Sequence, residues 1–133
     1  MKQWLVAAAF VMAVVPHALC TTRPARATGI YSNMSFHEES GDVLGIEVFV
    51  MRSSKGYFVV FQSSEGAPAV PVVVPVRIDG KSIEFDLPAE CAYAGKFKGT
   101  LTEEGITGGF PSGRLGPDGS SLIRLKRGKS YWQ

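Results

Sequence analysis

The densest group of reactive side chains in this 133-residue chain is His37-Glu38-Glu39-Ser40. A histidine, two carboxylates and a hydroxyl could in principle move a proton and attack a carbonyl. A triad, however, is assembled by geometry and leaves no local signature. No Gly-x-Ser-x-Gly occurs to mark a nucleophile. Residues 37–40 also have the composition of an ordinary polar turn. Asp86, Glu90, Glu103 and Glu104 fall at the edges of other turns, where carboxylates need no catalytic reason. His37 is the only histidine, and Cys91 the only cysteine, after residue 27. That is too few soft ligands, too widely spaced, for a zinc site. A Cys20–Cys91 disulfide requires that Cys20 stay in the mature chain. No catalytic residue, cofactor or metal ligand is expected, and the chain does not read as an enzyme.

The stretch GKFKGTLTEEGITGGF (95–110) raises the question of phosphate binding. A phosphate loop needs its glycines followed by Lys-Ser or Lys-Thr at a helix start. Here Gly95-Lys96 leads into Phe97 and an alternating, strand-like run. No Gly-x-Gly precedes a helix, so a dinucleotide site is not expected either. Gly99 and Gly108 share a face with Phe97, Leu101, Ile106 and Phe110, which predicts glycines that let strands bend and approach closely.

The elements that must position these residues follow an N-terminal segment of a different kind. Lys2, an apolar run from Leu5 to Val15 and then Pro16 have the order of a secretory leader. The run is shorter than the roughly 20 residues that span a bilayer. The leader is expected to occupy 1–27, with a cut after Ala27 or after Cys20, and a periplasmic or secreted location follows. Lipidation at Cys20 is disfavoured, because His17 and Leu19 occupy the flanking positions that the lipoprotein signal reads. Of 14 Lys and Arg, the first 27 residues hold Lys2, Arg23 and Arg26 and no acid, which leaves 11 basic against 12 acidic residues. The apparent basicity belongs to the leader and gives no argument for nucleic acid.

From 28 to 133 a single domain is expected. Eight apolar runs, at 29–36, 43–51, 57–62, 69–78, 82–87, 96–102, 106–110 and 121–127, are separated by Gly, Pro, Ser and Asp. The fifth, sixth and eighth alternate apolar and polar residues, as half-buried strands do. Short links such as Asp79-Gly80 predict antiparallel neighbours. The fold class is all-β, an eight-stranded up-and-down antiparallel meander closed as a small barrel, with a β-sandwich as the alternative. Pro71 and Pro75 remove donors from one edge of the fourth run, which predicts a bend or a gap there. Glu90-to-Lys96 could make one helical turn.

GIYSNMSFHEESGDVLGIEV (29–48) and the GKFKGTL, GITGGF and LKRGKSYW segments resemble a set of small secreted bacterial proteins of uncharacterised role. The Gly-x-Phe-x-Gly-x-Leu cadence is also similar in architecture to calycin-type barrels, the lipocalin and streptavidin group. The lipocalin Gly-x-Trp is not kept, since Tyr31 stands in the tryptophan's place. Neither resemblance implies a reaction.

Two roles are expected from these residues. One is a binding module for a small apolar ligand or an exported partner protein. The other is an inhibitor or stabiliser of an exported protein, acting through the loop 111–121 with Arg114 and Leu115 at its tip. Arg124 and Lys126, on the basic final strand, are further candidate partner contacts, although the acids Glu38, Glu39, Asp42 and Glu47 could match them. Tyr131 and Trp132 are expected to fold over the open mouth of the barrel as a plug. No transmembrane segment is expected.

Overall fold

The computed structural model describes residues 26–111 and 121–133. Among these there is no helix. The strands are β1 (Gly29–Ser32), β2 (Ser35–His37), β3 (Asp42–Ser53), β4 (Gly56–Gly66), β5 (Val72–Asp79), β6 (Ser82–Leu87), β7 (Gly95–Leu101), β8 (Gly105–Gly109) and β9 (Ile123–Gly128). Each pairs antiparallel with its neighbour from β3 to β9, and β1 bonds both β9 and β3. That double pairing closes an eight-stranded barrel and leaves β2 outside the ring. Closure removes the open edges that a meander would otherwise expose.

The first apolar run is split because of Asn33. β1 and β2 face β3 in one continuous register, Ser32 opposite Glu47 and Ser35 opposite Leu44. Between them the Asn33 amide oxygen accepts the Ile46 N–H at 2.7 Å, so a side chain replaces a backbone acceptor. Gly45 (φ +133°) makes room for this: a Cβ there would lie 2.6 Å from the Met34 Cα. Beyond this point the strand leaves β9 and continues along β3 alone.

Alternation decides what is inside. Val48, Val50, Val59, Phe61, Val74, Val76, Ile83, Phe85, Phe97, Leu101, Ile106, Ile123 and Leu125 are buried and face one another across the lumen. Toward one end Phe61, Phe85, Phe97, Phe110 and Tyr93 form a closed circuit of ring contacts, with centroids 4.8 to 6.4 Å apart. Tyr93 enters from the link after β6, where Cys91 N–H bonds the Pro88 carbonyl and Ala94 N–H bonds that of Cys91. These are successive turns rather than the helical turn expected there.

The opposite end is closed by the chain preceding β1. The Tyr31 side chain is fully buried, and its hydroxyl donates to the Ala27 carbonyl at 2.7 Å. The Arg127 guanidinium lies over the Tyr31 ring, 4.9 Å from its centroid. It also donates to the carbonyls of Thr28 and Arg26 and to the Tyr31 hydroxyl. Arg26 and buried Ala27 are therefore part of the barrel, which begins structurally before residue 28. Residues 1–25, which carry all but the last two residues of the expected leader 1–27, Cys20 included, lie outside the described residues.

Of the two prolines, only Pro75 lies within the strand as expected. Pro71 precedes β5. Pro75 pairs with Phe58 of β4, but pairing to β6 starts only at Val76. Val72 to Pro75 thus border a seam on the β6 side.

Candidate functional site: an apolar wall and a splayed seam

A block of neighbouring outward positions on β1, β3, β4 and β5 is apolar. Ile30, Phe49, Val60 and Val73 stand side by side across the four strands, and Met51, Phe58 and Pro75 form the next row. Val73 is 62% exposed, and Phe49 and Met51 more than a third exposed. The other half of the circumference is charged. There Glu84 faces Lys98 and Asp86 faces Lys96 across β6 and β7, with Lys96 Nζ 3.8 Å from Asp86 Oδ2. The barrel therefore has an apolar wall and a charged one.

The C-terminal tail joins the apolar wall. Past β9 the Ser130 hydroxyl donates to Glu47 Oε1 at 2.6 Å and the Tyr131 N–H to Glu47 Oε2 at 2.8 Å. Trp132 Nε1–H donates to Gln62 Oε1 at 2.9 Å. Glu47 and Gln62 face each other on the outside of β3 and β4, one row from Phe49 and Val60. Tyr131 and Trp132 do fold back, edge against face at 4.8 Å, but onto the outer wall. They do not cover a mouth. The reason is chemical: Glu47 offers a charged acceptor to two tail donors, whereas the lumen is already filled with aromatic rings. Trp132 stays 47% exposed and extends the apolar surface.

Arg124 and Lys126 point outward on β9, opposite Thr107 and Gly105 of β8. Among the described residues neither makes an ion pair, so the acids near the start do not match them. Glu47 is taken by the tail. Arg114 and Leu115 lie outside the described residues.

Two recesses lie toward the end that Tyr93 fills. One, of about 230 Å³, is lined by Phe61, Val70, Val72, Cys91 and Ala92 among others. Burial, followed by the charge of Glu90, pushes the Cys91 thiol above its ordinary range, which keeps it a thiol at neutral pH. The other, of about 390 Å³, opens where β2 parts from β9, and Asn33, His37, Leu44 and Arg124 are among its walls. Among the described residues no three or more His, Cys, Asp or Glu side chains gather as a metal site would require.

Sequence reasoning missed the wall and the role of Arg127. Parity along β9 signals the latter, since Ile123, Leu125 and Arg127 share the inward face. Comparison with known proteins finds no matching family model, no similar curated protein and no similar solved structure.

Proposed function

We propose that this chain is an exported, non-enzymatic binding barrel that recognises a partner protein with its apolar outer wall. The reading rests above all on where the exposed apolar side chains gather. Phe49, Met51, Val73 and Trp132 share one wall, and Val70 lies just before β5. Contiguous exposed apolar surface of this kind commonly serves for docking. The filled interior supports surface recognition over a lumen ligand, because an eight-stranded barrel has room for side chains or one small ligand. The architectural likeness to calycin-type barrels belongs to the same proposal and adds no ligand to it.

The test is affinity capture from the exported fraction of the native host, with the natural protein and with a Phe49→Asp/Val73→Asp variant side by side. A protein retained by the first and lost from the second is expected. A small apolar molecule retained equally by both would replace this reading with a second one. That second reading is a ligand in the 230 Å³ recess beside Phe61 and Cys91, whose apolar lining favours it.

A further inference from the structure

The pairing of β1 with β9 ends at Ser32 opposite Lys126. Past that point β2 follows β3, and the start of β9 follows β8 through Ile123 opposite Gly108. The two strands part, and the space between them is the recess of about 390 Å³, within the size range of small-molecule sites. Its walls divide by chemistry. Leu44, Leu122 and Ile123 are apolar; Asn33, Ser35, His37 and Arg124 are polar. No acid lines it. Alternation puts Asn33, Ser35 and His37 on the same face of the first strand as buried Tyr31, so they continue the lumen face beyond the ring.

The polar groups are donors or can become so. The Asn33 amide oxygen is occupied by the Ile46 N–H, which leaves its NH₂ group to point elsewhere. Among the described residues that NH₂ has no partner. The Ser35 hydroxyl and His37 Nε2 are 3.3 Å apart and can share or donate a hydrogen. Arg124 brings a permanent positive charge with a planar, bidentate fork. A cation without an ion pair among the described residues, several donors and apolar walls are the complement of an anionic head on an apolar body.

We infer that the splayed seam between β2 and β9 is a binding site for a small amphiphilic carboxylate of medium chain length. Its head is held by Arg124, with Ser35, His37 and the Asn33 amide near it, and its chain lies against Leu44, Leu122 and Ile123. The site differs from the lumen, which is filled, and from the apolar wall, where no cation stands among Phe49, Met51 and Val73. A charge-assisted bidentate contact orients the head, and burial of the chain supplies the rest of the affinity.

The test is titration of the purified protein with sodium octanoate, followed by NMR at the Asn33 side-chain amide and the Leu44 and Ile123 methyls. Saturable shifts at these groups, with a Kd below about 1 mM, are expected. Arg124→Gln should weaken octanoate about tenfold or more, the effect of losing one charged hydrogen-bonding partner. Lys126→Gln, one outward position along the same strand, should leave the affinity within about twofold. Octanol and acetate should each bind far more weakly than octanoate. The inference is overturned if octanoate shifts other groups instead, or if acetate binds as well as octanoate. Equal weakening by the Lys126 and Arg124 variants, which would mark a diffuse field, overturns it as well.

Discussion

Phe97 stacks on Phe85 at 4.8 Å and meets Phe110 edge-on at 5.3 Å. Its ring also covers Gly108, where an added Cβ would lie 2.4 Å from the Lys98 carbonyl oxygen and 2.7 Å from Phe97 itself. Gly99 and Gly108 thus make room for a ring. Phe97→Ala should cost about 3–5 kcal/mol, because a wide cavity opens in a closed aromatic circuit that cannot collapse; urea unfolding measures it. Tyr31, at the other end, makes a pH-dependent contribution. Burial raises its phenol above 10.0 and outweighs the opposing charge and hydrogen bond of Arg127. The folded state therefore keeps this proton at a pH where the unfolded chain has begun to lose it. The contribution is complete below the unfolded value and is lost as pH rises through the folded one. Unfolding followed from about pH 9 upward should show stability falling above about pH 10, and Tyr31→Phe should flatten that fall.

At the scale of the element, the tail is an added clasp on β3 and β4. Glu47→Ala removes the acceptor of both the Ser130 and Tyr131 donors and should cost about 1 kcal/mol, since the site is only partly shielded from water. The same variant should bring iodide quenching of Trp132 close to that of a free indole, in protein lacking Trp4. The strands themselves were legible. Alternation in 82–87, 96–102 and 121–127 marks one wet face and one dry face, and the runs land within a few residues of β6, β7 and β9. The apolar wall was not legible, because 43–51, 57–62 and 69–78 are apolar on both faces. Parity then says which residues travel together but not which set faces water. The landing place of the tail was hidden for another reason. Glu47 and Gln62 become neighbours only through the register of β3 with β4, and the tail reaches them only once β9 has closed on β1.

At the scale of the molecule, Arg26 and Ala27 act as part of the barrel's end wall. Under the proposed export, removal of a leader is expected upstream of Arg26, as a cut after Cys20 would allow, and N-terminal sequencing of protein from the native host checks this. Protein that starts at Thr28 should be less stable by about 2 kcal/mol or more in urea unfolding. It loses the buried Ala27 and leaves the Tyr31 hydroxyl and part of the Arg127 guanidinium without their acceptors.

The double pairing of β1 also has a consequence for timing. Ile30–Ser32 needs Lys126–Gly128 as its partner on one side, and these residues are made long after it. At a synthesis rate of about 5–20 residues per second, the first strand waits several seconds for the strand that completes its sheet. Arg127, which fastens the end wall, arrives with the same strand. Nascent chains halted before residue 122 should accordingly be digested by protease as readily as an unfolded chain, while full-length protein resists. A polypeptide that cannot lock until Arg127 appears stays threadable while everything before β9 is being made, which is the state that the proposed export through a narrow channel would need.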